Sequence, residues 1–241
     1  ESWKIFLDML ERKHGHRKAT MVMHCDPHDS EGANLIQVAE MLNVQDNVLF
    51  SRDRIDFDQM NTLYNISDFC LNISFAEGFG LSTLESMMTG TPIILNVTGG
   101  MQDQCGFKLN GKHITHEDYT DIKSLHYDRK WKGNKDLTWG EWVKPVWPSN
   151  RSLAGSPPTP YIFDDRCRFE DVAELIKEWY DMDSDKRQEC GMKGREFVTS
   201  DESMMTGKNM SKRRKKHMKR VMTVELLRNC FRLQRGLPYK Q

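Results

Sequence analysis

Four short apolar runs recur along the first hundred residues, at 19–24 (ATMVMH), 47–50 (NVLF), 69–73 (FCLNI) and 92–97. Segments with helical spacing separate them. Trp3, Phe6, Leu7 and Leu10 share one face of a helix expected over 2–13. Leu35, Val38, Ala39 and Leu42 make the same stripe over 31–43, with Asp29 and Ser30 as candidate caps. Asp56 is placed to cap a helix over 57–66, whose apolar side holds Met60, Leu63 and Tyr64, and a fourth helix is expected over 81–90. Strand and helix alternating through short connections predict an α/β fold: a parallel sheet with helices on both faces. Ligands of such sheets sit beyond the carboxyl ends of the strands, where loops enter helix N-termini. The loop 74–80 (SFAEGFG), which follows the run at 69–73, is therefore the first candidate site.

Composition limits the alternatives. The 241 residues (28.2 kDa) carry 35 basic and 35 acidic side chains, and no apolar run reaches the roughly 20 residues that span a bilayer. Six cysteines, at 25, 70, 105, 167, 190 and 230, include no Cys-x-x-Cys pair, which argues against a zinc ribbon or a small disulfide scaffold. A reducing, cytoplasmic compartment is expected. His24, Cys25, Asp26 and His28 match no standard zinc spacing, so no metal site is expected. The balanced charge hides an asymmetry: residues 208–241 carry twelve Lys and Arg against Glu225 alone, about +11, leaving about −11 on the remainder. A long basic helix over 208–233 is expected to be a solvated face, or to hold the protein at the periphery of an anionic membrane. A nucleic-acid contact is a further reading, weakened because no aromatic residue interleaves with the cluster at 212–220.

From 105 to 160 the alternation stops. This stretch holds Trp131, Trp139, Trp142 and Trp147 and five of the eight prolines, and reads as an irregular insertion packed on the rest. Helices are expected again over 169–181 and 184–199. The expected organisation is a Rossmann-like lobe from 1–104 and 161–200, an insertion over 105–160 and a basic tail over 201–241.

Segment 74–92 reads SFAEGFGLSTLESMMTGTP. Gly78 and Gly80 allow close backbone approach to a ligand, and the helix starting near Leu81 turns its N–H groups toward the same cleft, a ready phosphate site. Glu77 stands before the helix and Glu85 about 6 Å along it from Leu81 at 1.5 Å per residue. Two carboxylates so placed suit a ligand with hydroxyls at both ends and charge in the middle, the layout of a nucleoside-diphosphate sugar.

This segment resembles the Glu-x7-Glu donor-binding signature of the retaining GT-B glycosyltransferases. The likeness extends through Asn47–Phe50, Leu63-Tyr64, Ser67-Asp68 and Ser74 on one side, and through Gly90-Thr91-Pro92-Ile93-Ile94 and Thr98-Gly99-Gly100 on the other. It covers about 2–104 well and 161–200 loosely. The resemblance implies that Glu77, as the catalytic residue, contacts the transferred hexose near the reacting carbon. By the same likeness, amides of Gly78, Phe79 and Gly80 hold the sugar, those of Leu81 and Ser82 hold the diphosphate, and Glu85 binds the ribose. Arg52 and Arg54 lie where the base would dock. It implies a UDP- or GDP-sugar donor, an unidentified acceptor and no cofactor or divalent metal. The family's Arg/Lys phosphate clamp would precede Glu1, with Lys4 a poor substitute, and its acceptor-binding N-terminal lobe has no counterpart here. A fragment, a truncated product or half of a split enzyme is expected. Alternatives are a non-catalytic nucleotide-sugar-binding lobe and an epimerase- or phosphorylase-like enzyme.

Overall fold

The computed structural model describes residues 1–30, 32–114, 136–203, 205–212 and 215, excluding the side chains of 156, 159 and 160. The chain divides into two compact units, Glu1–Glu196 and Phe197–Gln241.

The first unit is built on parallel strand pairs. Helix α1 (Ser2–His14) leads to β1 (Met21–His24), α2 (Leu35–Met41) and β2 (Val48–Ser51), and β1 pairs in parallel with β2, Met21 opposite Val48. Helix α3 (Phe57–Ile66) leads to β3 (Cys70–Asn72), α4 (Leu81–Thr89), β4 (Ile93–Asn96) and the short α5 (Met101–Gln104). Small antiparallel strands β5 (Lys108–Leu109), β6 (Lys112–His113) and β7 (Leu137–Thr138) follow, then β8 (Val143–Val146). A hairpin, β9 (Asn150–Ser156) and β10 (Thr159–Arg166), precedes α6 (Phe169–Asp181) and α7 (Ser184–Thr199).

Strands β3, β4 and β8 form one parallel sheet with β4 in the middle, and Ile93, Ile94 and Leu95 are wholly buried. Strand β8 lies within the 105–160 stretch read as an insertion, so that stretch supplies a strand of the main sheet. It tolerates Pro145 because it is the outer strand, where a missing N–H need not break a ladder. Trp142 donates its indole N–H to the Gln104 carbonyl at 3.0 Å, and Trp147 packs on Phe107 with ring centroids 5.5 Å apart. Trp131 lies outside the described residues.

One core serves both parallel sheets. Phe6, Leu7 and Leu10 of α1 meet Val172, Ile176 and Trp179 of α6, with Met21, Met23, Leu71 and Ile73 packed around them. Full burial of a Leu or Phe side chain contributes about 1.5–3 kcal/mol, so three on one face hold α1 far more firmly than helix propensity alone. Asn47 stitches the entry to β1: its amide donates to the carbonyls of Arg17 and Ala19, both at 2.7 Å.

Asp56 caps α3 as expected, in a reciprocal capping box with Gln59. Helix α2 differs from expectation. It starts at Leu35, not 31, and its cap is Asn34, whose side chain accepts from the Gln37 amide at 3.2 Å. Asp29 instead closes a turn through Gly32. In the second unit, Asn209 donates to Asp201 at 2.9 Å; most of the basic helix expected over 208–233 lies outside the described residues. Among the described residues no helix is long and apolar enough to cross a membrane.

Candidate functional site

The loop between β3 and α4 is fixed from behind. Gly80 caps α4 with φ +81°, and a Cβ there would lie 2.7 Å from Met101 Cγ and 2.8 Å from Thr83 Oγ1. Only glycine meets both conditions without strain. Gln104 of α5 donates one amide group to the carbonyls of Phe79 (2.7 Å) and Gly80 (2.9 Å), engaging the loop's acceptors. Among the described residues no side chain caps α4, and its first turn holds no acid. Leu81, Ser82 and Glu85 share the exposed face of the helix.

Glu85 accepts a hydrogen bond from the Tyr64 hydroxyl at 3.0 Å. Burial, and next the hydrogen bond to that carboxylate, push the Tyr64 phenol well above its ordinary value. The phenol therefore remains a donor throughout the physiological range.

Glu77 is half-buried and faces a cavity of about 560 Å³. Ala76 and Gly78 of the same loop line it, as do Thr98, Gly99, Gln102 and Asp103 from the connection after β4. The two loops touch. Gly100 donates its N–H to the Glu77 carbonyl at 3.3 Å, and a Cβ on Gly99 would lie 1.8 Å from that oxygen. The remaining wall is the hairpin, through Arg151, Phe163 and Asp165. Asp165 is buried: Thr98 Oγ1 donates to it at 2.8 Å, and Arg151 binds it through Nε at 2.8 Å and Nη2 at 3.2 Å. The hairpin is also tied to the 74–80 loop by its backbone. Asp165 N–H donates to the Phe75 carbonyl at 2.8 Å, and Asn96 Nδ2 bridges the carbonyls of Ser74 (3.0 Å) and Asp165 (2.6 Å).

The residues expected from sequence are thus not all brought together. Glu77 and Gly78 line the cavity. Leu81, Ser82 and Glu85 lie along the exposed side of α4, while Phe79 and Gly80 form the turn between. Arg52 and Arg54 are exposed in the loop after β2 and do not line the cavity. Sequence reasoning missed Arg151, Phe163 and Asp165. A run of turn residues between two strand-forming segments, 155–160 (GSPPTP), was the signal that could have shown the hairpin.

Three of the described thiols are held protonated by burial. Cys105 is wholly buried, which raises it well above the ordinary thiol value, with Asp103 adding to the shift. Burial pushes Cys70 up to about 11, and burial with nearby Asp165 pushes Cys167 to about 12. None of these three is a thiolate nucleophile near neutral pH. His24 Nδ1 lies 3.0 Å from Ser51 Oγ, and Asp26 accepts from the His28 amide at 2.9 Å. Among the described residues no three His, Cys, Asp or Glu side chains are grouped to hold a metal.

A parallel sheet, a glycine-capped helix at its carboxyl end and an acidic cavity beside it define an α/β lobe like those of GT-B glycosyltransferases. Residues 17–125 match the family described as Glycosyl transferases group 1, a stretch that contains both acidic positions of the signature. A solved sucrose-phosphate synthase from Thermosynechococcus elongatus shares the fold, with 18% identity and a TM-score of 0.54. That match covers 92% of this chain and 42% of the synthase. WaaG, a glycosyltransferase involved in lipopolysaccharide biosynthesis, matches at 14% identity and a TM-score of 0.47 over 85% of this chain and 39% of its own. Anabaena Alr3699/HepE, solved in complex with UDP, matches at 16% identity and 0.46 over 83% and 41%. The chain therefore spans about two fifths of the solved structures it matches. No curated protein sequence matches it.

Proposed function

We propose that this chain is the donor-binding lobe of a retaining glycosyltransferase, which moves a hexose from a UDP- or GDP-sugar to an acceptor. The observation that carries this reading is the start of α4: a helix of nine residues with no side-chain cap among the described residues, next to an acidic cavity. In this reading the diphosphate rests on the amides of Leu81 and Ser82, where the helix dipole favours negative charge. Glu85 and Tyr64 meet the ribose hydroxyls. Glu77 holds the hexose in the cavity, with the amides of Gly78, Phe79 and Gly80 beside it. Arg52 and Arg54 are left as contacts to the base. Transfer is electrostatic: fixed N–H groups stabilise the departing diphosphate as the sugar passes through an oxocarbenium-like state, without a divalent metal.

Magnitudes limit what the lobe does alone. A helix N-terminus contributes about 0.3–1 kcal/mol to an anion, up to about 2 when partly buried. Ribose and sugar contacts must supply the remainder, so affinity is expected to be weak. The acceptor is presented by a second lobe in this reading. The basic run at 208–241 is assigned to an anionic membrane surface, to be checked by salt-sensitive retention on anionic vesicles and its loss on deletion.

A thermal-shift panel of UDP, GDP, ADP and their sugars tests the donor assignment. One nucleotide series should raise Tm in the wild type and much less in Glu85→Ala, because stabilisation follows RT ln(1 + [L]/Kd). Absence of any shift at millimolar ligand contradicts it.

A further inference from the structure

The cavity beside Glu77 is not enclosed by the signature loop alone, and the added wall changes what it can hold. Strand β10 is bonded into the loop through Asp165 N–H, and Arg166 lies over the Phe75 ring, 4.8 Å from its centroid. The hairpin's side of the cavity presents Phe163, 49% exposed, with the Arg151 guanidinium 5.1 Å from its ring centroid. Arg151 is bound by both oxygens of Asp165, so its charge is balanced within the wall. That leaves the carboxylates of Glu77 and Asp103 lining the same space.

Carboxylates suit hydroxyl groups, and an aromatic ring suits the C–H face of a pyranose. The basic residue that lines the cavity, Arg151, is already engaged by both Asp165 oxygens, so a further negative charge there meets Glu77 and Asp103 without an uncommitted cation to offset them. Resting on the donor reading above, we propose that the β9–β10 hairpin is the specificity wall of the sugar compartment, which selects a neutral hexose and rejects a hexuronate. Phe163 supplies the apolar platform. Asp103, with Glu77, supplies the hydroxyl contacts and the charge repulsion.

Calorimetry on the full 241-residue chain separates this proposal from the donor reading. The diphosphates UDP, GDP and ADP are titrated first; the one that binds is then compared as its neutral hexose conjugates and the matching hexuronates. Neutral conjugates should bind at least about tenfold more tightly than hexuronates. Asp103→Asn should narrow that gap to less than about threefold. Phe163→Ala should remove the advantage of neutral conjugates over the bare diphosphate. Both positions are exposed, and both variants should keep the wild-type affinity for the diphosphate itself, which shows that the fold and the α4 site persist. Hexuronates binding as tightly as hexoses, or a gap unchanged in both variants, overturns the proposal and leaves the donor reading standing. Failure of all three diphosphates to bind overturns the donor reading and the proposal with it.

Discussion

The Tyr64 hydroxyl donates to the Glu85 carboxylate at 3.0 Å, joining the last turn of α3 to the exposed face of α4. The contact has an alkaline signature. Tyr64 is raised above its usual value of 10.0, by burial first and Glu85 second. A folded value above the unfolded one means the stabilisation is complete below pH 10 and is lost as pH rises beyond it. Wild type should therefore lose Tm between pH 10 and 11.5 more steeply than Tyr64→Phe. Parallel curves would show that the phenol makes no such contribution.

The two acids should separate in function. Glu85→Ala is expected to weaken nucleotide binding about tenfold or more, by removing contacts to the ribose. Glu77→Ala is expected to leave the bare nucleotide within about twofold while lowering transfer by about 100-fold, measured with acceptor and any complementing lobe present. Equal effects on both measurements contradict the separation.

The glycines that shape the loop have unequal tolerance. At Gly80 an added Cβ meets the side chains of Met101 and Thr83, which can shift slightly; at Gly99 it meets the Glu77 backbone carbonyl at 1.8 Å. Both also have positive φ, +81° and +50°. Gly80→Ala should cost about 1–3 kcal/mol by urea denaturation, and Gly99→Ala more. The second should also perturb Glu77 directly.

Asp165 ties Thr98 and Arg151 to the cavity wall from a buried position. Asp165→Ala removes the carboxylate that a partly buried guanidinium and a hydroxyl both bind. The expected loss is about 3 kcal/mol, reduced because Arg151 retains some contact with water. Arg151→Met with Asp165→Leu should recover much of it. Urea denaturation of wild type and the two variants checks this.

Much of the fold was legible because its signals are local. Period-3.6 stripes and short apolar runs give α1, β1 to β4 and α3, and Asp56 caps α3 as its position just before the apolar stripe predicts. The loop at 74–80 was legible because its glycines and acids lie within a few residues of one another. Strand β8 and the hairpin were not, because Pro145 and Pro160 argue against strands and the turn signal at Pro157-Pro158 went unread. These strands lie at a sheet edge or in a two-stranded ribbon, where proline is tolerated. Helix α2 was misjudged at its start because three residues could cap it, and only a tertiary choice selects Asn34. The third wall of the cavity depends on Asn96 meeting Asp165 across 69 positions of sequence, a distance over which no local pattern operates.

The central claim is that a diphosphate rests on the start of α4. An amide-resolved NMR titration with UDP, GDP and ADP addresses it at single residues. The account predicts that at least one of the three moves the amide resonances of Gly78 through Ser82 in a saturable way, with the shifts reduced in Glu85→Ala. Saturable shifts confined to other parts of the chain, or none with any of the three, would contradict it.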